Sequence, residues 1–141
     1  MTRTAQTATP ETRAYTAQEQ ANIDHVRAMI REVLDALDPD AVDRFIVPGY
    51  IQHNQMVGQG TEPLKQFLRE AKVHSPEPVH DIKRIFADGD HVIAHYHLRR
   101  WPGDTGYAIM DIFRLENTMV VEHWDVMMEV PSDSPNPIGP F

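Results

Sequence analysis

The sequence predicts an α+β domain in which three N-terminal helices pack on one side of a curved antiparallel sheet. Apolar residues recur at helical spacing up to about residue 75, and from residue 79 onward they alternate with polar residues as strands do. All helical segments precede all strand segments, which is typical of α+β domains. A chain of 141 residues is most simply one domain.

Three helices are predicted in the first half of the chain. Thr16 and Glu19 form a capping box, and apolar residues follow at helical spacing over 23–37. Pro39 ends this helix and opens a short second one, since proline is tolerated at the first helical position. Residues 47–60 are rich in glycine and amide side chains and are predicted to form a loop. The third helix starts at Thr61.

Four strands are predicted in the second half. The first two, 79–87 and 91–100, are separated by the tight-turn signal Asp88-Gly89. The other two, 107–115 and 119–128, are rich in β-branched and aromatic residues around a short polar break, which is a hairpin pattern. Antiparallel pairing of these four strands is therefore expected.

The two ends of the chain differ in composition from the domain between them. Residues 1–15 are rich in threonine and alanine without periodicity, so we expect a disordered leader. This leader lacks the apolar segment of a signal peptide, which favours a cytoplasmic protein. Residues 131–141 contain four prolines and are expected to form an extended tail. The predicted domain is 16–130.

Composition excludes several classes of function. A formal charge of −8 without a basic stripe argues against a nucleic-acid partner. No apolar run approaches the roughly 18 residues of a membrane span. The chain has no cysteine, so thiolate nucleophiles and cysteine-ligated metals are excluded.

Polar residues inside the predicted strands identify a candidate site. Strand interiors disfavour aspartate, yet Asp111 and Asp125 lie within the final hairpin. Alternation places several neighbours on the same faces as these carboxylates or on the adjacent strand: His95, His97, Phe113, His123 and Met127. If those faces line the concave side of the sheet, carboxylates and imidazoles meet in one apolar cavity. Such a cavity suits general acid/base chemistry.

Other interpretations of these residues remain open. The aspartates could pair with arginines, and His95 and His97 could occupy a solvated face. His53 and Asn54 lie in the predicted loop, where polar residues often serve binding, although a turn-capping role is the alternative. His95-x-His97 together with a third ligand could form a metal site, but this spacing is a weak signal. We therefore expect neither a metal nor a cofactor.

Three motifs resemble the SnoaL-like branch of the NTF2-like superfamily. They are Tyr50-Ile-Gln-His-Asn, Val92-Ile-Ala-His-Tyr-His and the stretch from Met110 to Val126, and the resemblance covers about 20–130. It implies a cone in which helices close a curved sheet around a pocket, usually dimerised through the outer face of the sheet. Founding members close a ring by intramolecular aldol condensation without cofactor or metal.

By motif position, the resemblance implies that Asp125 is the acid/base residue and Asp111 its polar partner. His53 and Asn54 match the loop motif of a sub-branch described as aldol-condensing enzymes. The chain departs from the pattern at Thr118, where the hairpin turn usually has glycine.

The sequence thus predicts a cofactor-independent acid/base enzyme that acts on a small hydrophobic carbonyl compound by aldol condensation, cyclisation or a related isomerisation. Asp125 would transfer the proton while His53 and Asp111 polarise oxygens. The remaining predicted site residues would bind substrate: Tyr50, Asn54, His95, His97, Phe113, His123 and Met127. Epoxide hydrolysis, dehydration and non-catalytic ligand binding are the alternatives, and a homodimer is expected.

Overall fold

Three helical segments open the described part of the chain, which is residues 13–141 of a computed structural model. Helix α1 spans Ala17–Met29 and continues as a π-helical segment, Ile30–Asp35. A 3₁₀ helix spans Pro39–Arg44, and α2 spans Thr61–His74. The three predicted helical regions are confirmed, with a π-helical end on the first that its apolar spacing did not reveal.

The capping box predicted at the start of α1 is present and does more than begin the helix. The Thr16 hydroxyl accepts from the Glu19 backbone N–H, and the Glu19 carboxylate accepts from the Thr16 N–H, both at 3.0 Å. Arg13 and the Gly89 N–H also donate to this buried carboxylate, at 2.6 and 3.0 Å. The Arg13 bond, followed by the backbone bonds, lowers the pKa of Glu19 to about 2. One side chain thereby joins α1 to a turn of the sheet.

A five-stranded curved sheet packs against the helices, and its first strand precedes α2 in the chain. Its strands are β1 Ile46–Gln52, β2 Val79–Asp88, β3 His91–Arg99, β4 Tyr107–Glu116 and β5 Met119–Glu129. The strand order is β1-β5-β4-β3-β2, and every neighbouring pair is antiparallel except β1 with β5. The four predicted strands and the α+β class are confirmed.

Strand β1 corrects the prediction of a loop over 47–60. Pro48 and Gly49 suggested a loop because both residues are disfavoured inside strands. The structure places them in an edge strand, where a missing N–H and a missing side chain cost little. Pairing with β5 is interrupted between Ile46 and Ile51 and resumes where Gln52 lies opposite His123. The sheet therefore has a fifth, parallel strand at one edge.

The core lies between the helices and the concave face of the sheet. Val26 and Val33 are fully buried on the helical side, and Val92 and Ala94 are fully buried on β3. The opposite face of the sheet is more open, with Val126 69% exposed. Helices on one face and an open second face match the predicted arrangement.

The chain ends are only partly described. The predicted leader, 1–15, lies mostly outside the described residues. The predicted tail, 131–141, contains no helix or strand, and the Phe141 ring lies 4.5 Å from the His97 ring on the outer face of β3. Among residues 13–141, no helix has the length and apolar character that crossing a membrane requires.

Candidate functional site

A cavity of about 560 Å³ opens between the helices and the concave face of the sheet. Its walls are mostly apolar, and α1, α2 and all five strands contribute lining residues. The apolar ones include Met29, Val33, Leu64, Phe67, Ile109, Phe113 and Val120. Its volume lies within the range of ligand pockets, about 300–1,000 Å³. A few polar side chains interrupt the apolar walls, and they gather on the concave face of the central strands.

Two carboxylates stand directly opposite each other in this cavity. Asp111 on β4 pairs with Asp125 on β5 in the sheet register, so their side chains leave the same face as close neighbours. Asp111 is only 3% exposed, and both of its oxygens are engaged. The Tyr96 hydroxyl donates to Oδ2 at 2.7 Å, and Nε2 of His123 lies 3.0 Å from Oδ1. Asp111 is therefore a buried and fully partnered carboxyl group.

The position of the His123 protons follows from the neighbouring amide, Gln52. The Asn54 backbone N–H donates to Gln52 Oε1 at 3.0 Å, which fixes that atom as the acceptor oxygen. The His123 Nδ1 atom lies 2.7 Å from the same oxygen and must therefore carry a hydrogen. Its Nε2 faces a carboxylate oxygen of Asp111, so one further proton lies between the two groups. His123 and Asp111 thus share a proton beside the cavity.

Asp125 is more accessible than Asp111 and keeps one oxygen free. The Asn54 side chain donates through Nδ2 to Oδ2 of Asp125 at 2.5 Å. The Asn54 Oδ1 accepts from the Met56 N–H at 2.8 Å, which fixes the orientation of the amide. Within residues 13–141, Oδ1 of Asp125 has no hydrogen-bond partner, and the residue lines the cavity. This oxygen can meet a ligand directly.

Arginines do not neutralise this pair of carboxylates. In the described residues, Arg100 pairs with Asp104 and Arg114 pairs with Glu122, both at 2.8 Å. Burial, with Asp111 nearby, raises the pKa of Tyr96 well above its ordinary value, so this phenol stays a hydrogen-bond donor. The proposed alternative of simple aspartate–arginine pairing does not describe these residues.

Seven of the predicted site residues line the cavity. They are Tyr50, Asn54, Asp111, Phe113, His123, Asp125 and Met127. Alternation correctly placed the polar residues of β4 and β5, because the register keeps odd-numbered residues of both strands on the concave face over this stretch. Tyr50 and Asn54 enter from β1 and the loop that follows it.

Three predicted residues lie elsewhere. His53 stacks on Trp124 at 4.9 Å and bonds to Glu122 at 3.0 Å, both on the outer side of β5. His95 and His97 lie on the outer face of β3. Side chains alternate along the strand, and it is Tyr96, between them, that faces the cavity. The prediction that these three imidazoles enter the cavity is wrong. Desolvation and the neighbouring Arg84 lower the pKa of His95 on the outer face.

Five polar residues of the cavity were not among the predicted site residues: Gln52, His80, Tyr96, Arg100 and Tyr107. Gln52 lies in the segment predicted as a loop, and the other four lie in predicted strands. Each lines the cavity in the structure. The signal for Tyr96 was present, because Ala94, Tyr96 and Leu98 form the more apolar face of β3. No local signal distinguishes Gln52 or His80.

A cation could be held by a different set of residues from the one considered in the sequence. His95 and His97 face away from the cavity, so they do not assemble with its carboxylates. Ligand atoms of Asp111, His123 and Asp125 lie within 4.8 Å of one another. In the described structure, Asp111 and His123 are hydrogen-bonded to each other, and Asp125 is bonded through one oxygen to Asn54.

The family model described as SnoaL-like domain matches residues 26–123 of the chain. No curated protein sequence gives a significant match. The structural matches have the same fold at low sequence identity, and three of them illustrate the range of their names.

A candidate polyketide cyclase from Bacillus cereus ATCC 10987 superposes with a TM-score of 0.68 and 18% identity, over 80% of this chain and 78% of that one. A candidate SnoaL-like polyketide cyclase from Jannaschia sp. CCS1 gives a TM-score of 0.67 and 19% identity, over 82% and 90%. A SnoaL-like protein of unknown function from Burkholderia thailandensis E264 gives a TM-score of 0.65 and 19% identity, over 82% of this chain and 99% of that one. These similarities establish the fold.

Proposed function

The chain belongs to the SnoaL-like domain family of the NTF2-like superfamily, and on that premise we propose that it is a cofactor-independent acid/base enzyme. Its substrate is a small, hydrophobic carbonyl compound, and its reaction is an aldol condensation, a cyclisation or a related isomerisation. The open carboxylate oxygen of Asp125 opposite the fully partnered Asp111 is the observation that carries this proposal. Apolar walls around it suit a hydrophobic substrate.

Asp125 is the proton-transfer group in this proposal. Its free Oδ1 removes a proton from the carbon next to the carbonyl, and the electron pair left by that C–H bond forms an enolate. In a condensation, the enolate carbon then bonds to a second carbonyl carbon of the same molecule. The resulting alkoxide takes the proton back from Asp125, so the step balances without an oxidant or a reductant.

Asn54, rather than His53, is the donor nearest to the reacting group. One hydrogen of its side-chain amide is given to Asp125, and the second is available for the oxygen that becomes negative. The proton shared by His123 and Asp111 holds these two groups together behind Asp125. Asn54 thereby takes the role predicted for His53, which lies on the outer face of the sheet.

Deuterium exchange tests the proposed reaction without knowledge of the natural substrate. 2-Tetralone is a small, apolar ketone, and NMR in D₂O reports loss of the hydrogens next to its carbonyl. The protein should accelerate this exchange above the buffer rate, and Asp125→Asn should reduce the acceleration by about 10²- to 10⁴-fold. Asp133→Asn, in the exposed tail, is the matched control and should exchange like the native protein.

The outcome separates the proposed enzyme from its alternatives. Native exchange that persists in a chelator supports a cofactor-independent reaction, whereas loss of exchange on chelation would contradict it. Binding of 2-tetralone without any exchange would indicate a non-catalytic binding domain. Full activity of Asp125→Asn would show that another group transfers the proton.

Addition of water is the alternative reaction for the same site. The free oxygen of Asp125 could accept a proton from a water molecule that attacks an epoxide carbon, while the adjacent Asn54 donates to the epoxide oxygen. As the C–O bond breaks, this oxygen takes the proton from Asp125. This arrangement would serve an epoxide hydrolase or a dehydratase. Transfer of ¹⁸O from labelled water into styrene oxide, abolished in Asp125→Asn, would favour this alternative over carbonyl chemistry.

A homodimer formed through the outer face of the sheet is the second part of the proposal. Apolar side chains that are about 40–70% exposed project from this face on β2, β4 and β5: Phe86 49%, Met110 41%, Val126 69% and Met128 52%. Exposed apolar side chains gathered on one face are typical of interaction sites. Tyr96 does not contribute to this face, because it is buried beside Asp111.

A further inference from the structure

His80 and Asp35 form a second polar pair on the cavity, separate from the carboxylates of β4 and β5. Oδ1 of Asp35 accepts from the backbone N–H of His80 and lies 2.8 Å from its Nδ1, each bond being 2.8 Å long. A carboxylate only accepts hydrogen bonds, so Nδ1 carries a hydrogen. In its neutral form, the imidazole then has its lone pair at Nε2.

The imidazole of His80 lines the cavity, although its side chain is only 9% exposed. Within residues 13–141, Nε2 has no hydrogen-bond partner, and no buried side-chain nitrogen or oxygen is left unpartnered. Nε2 is therefore not fully buried, and the cavity is the space next to the His80 ring. A ligand group that donates a hydrogen bond can reach it there.

The end of the first helix positions Asp35 for this contact. Asp35 is the last residue of the π-helical segment Ile30–Asp35, and the Val33 carbonyl accepts from the Asp38 N–H five residues later. Such wide turns often occur at functional sites. The contact joins the helical layer to β2 across 45 positions of sequence.

Tyr96 lies between the two polar regions of the cavity. Its ring is 5.3 Å from the His80 ring, and its hydroxyl donates to Asp111 at 2.7 Å. A ligand that contacts both regions must therefore be elongated, with an apolar middle.

We propose that Nε2 of His80, oriented by Asp35, is a second subsite that accepts a hydrogen bond from a hydroxyl group at the far end of the substrate. This inference rests on the proposed function, because it places the carbonyl end at Asp125. The substrate class becomes an elongated apolar hydroxy-ketone, of which a phenol-bearing bicyclic ketone is an example. His80 takes part in binding and leaves the proton transfer to Asp125.

Two ketones that differ by one hydroxyl group test this subsite. 6-Hydroxy-2-tetralone has a hydroxyl at the end opposite its carbonyl, and 2-tetralone lacks it. By isothermal titration calorimetry, the native protein should bind the hydroxy-ketone about 5- to 10-fold more tightly, as expected for one neutral hydrogen bond. His80→Asn keeps a donor for Asp35 and lacks Nε2, so this difference in affinity should disappear. Asp125→Asn should retain the difference.

The outcomes distinguish this inference from the proposed function. Equal affinity of the native protein for the two ketones, or no binding of either at its solubility limit, would overturn the subsite. Loss of exchange activity in Asp125→Asn with a retained affinity difference would support both proposals. An affinity difference in a native protein without exchange would support the subsite and contradict the reaction.

A measurement on the native protein covers the case in which His80→Asn does not fold. Two-dimensional ¹H–¹⁵N NMR of the imidazole nitrogens reports which one carries the hydrogen. We expect His80 to carry it on Nδ1, and addition of 6-hydroxy-2-tetralone to shift the Nε2 resonance while 2-tetralone does not. If the neutral His80 imidazole carries its hydrogen on Nε2 in the ligand-free protein, the inference is overturned.

Discussion

The Nδ1 atom of His123 lies 2.7 Å from Oε1 of Gln52, and this contact joins β5 to its parallel neighbour, the edge strand β1. The same oxygen accepts from the Asn54 N–H, while Nε2 of Gln52 donates to the Tyr50 hydroxyl at 2.9 Å. Gln52 is 6% exposed, so it has little freedom to turn. One buried amide thus orients both His123 and the backbone next to Asn54.

Replacement of Gln52 by leucine should impair the site while leaving the fold in place. The apolar side chain cannot accept from His123 or Asn54, so both groups lose their orientation relative to Asp125. We expect exchange of 2-tetralone to slow about 10- to 100-fold, since a displacement near 1 Å can cost about 10²-fold. The loss should fall on kcat more than on KM, and the pH profile of kcat should shift. Gln55→Leu, on the exposed loop, should have native kinetics and pH profile.

Replacement of Tyr96 by phenylalanine should lower stability at neutral pH and make its decline at alkaline pH shallower. At pH 7, loss of the hydroxyl leaves Asp111 short of a donor, which should lower the free energy of unfolding by about 1–3 kcal/mol. Burial and Asp111 raise the pKa of Tyr96 in the folded state, so its contribution is present below pH 10 and is lost as pH rises toward that raised pKa.

The alkaline decline of stability should accordingly be shallower in Tyr96→Phe than in the native protein. Urea unfolding at pH 7, 10 and 11 measures it, and the more exposed Tyr15→Phe is the control. An identical alkaline slope in native and Tyr96→Phe proteins would contradict the burial of this phenol.

Replacement of Glu19 by glutamine should reduce the sensitivity of the fold to acid. Hydrogen bonds from Arg13 and the backbone lower the pKa of Glu19 from 4.5 to about 2 in the folded state. Its contribution is present above pH 4.5 and is lost as pH falls toward 2, because the unfolded chain takes up the proton first. Glu19→Gln should therefore lose less stability than the native protein between pH 6 and 3.

The exposed Glu62→Gln, at the start of α2, is a control with the same chemical change. Chemical unfolding followed by circular dichroism at each pH gives the comparison. Equal acid sensitivity of the native protein and Glu19→Gln would show that other carboxylates dominate the acid response.

Replacement of Val126 by glutamate should prevent the proposed dimer. The charge would lie in the apolar outer face of the sheet, where burial without a partner is costly. Sedimentation velocity at about 10 µM should show a native dimer, as expected where an apolar interface exceeds about 1,000 Å². Val126→Glu should sediment as a monomer. Val73→Glu, at a valine 79% exposed on α2, should remain a dimer. A native monomer at this concentration would refute the interface.

Local pattern was sufficient for most elements of the fold. The capping box at Thr16, the helical spacing that follows it and the two-residue alternation of β4 and β5 are properties of neighbouring residues. Short-range geometry decides them, so the positions of Asp111 and Asp125 on one face could be predicted from the sequence. The hairpin turn also formed as predicted, with Asn117 and Thr118 both at positive φ.

Tertiary packing decided which face of each strand meets the helices and which distant residues meet in the cavity. Both faces of β3 carry aromatic or imidazole rings, and packing against the helices turned Tyr96, rather than His95, toward the cavity. Gln52 meets His123 across 71 positions of sequence, and Asp35 meets His80 across 45. These contacts depend on the parallel pairing of an edge strand and on the docking of a helix end. No local pattern contains them, because burying the apolar surface of the whole chain is what brings these segments together.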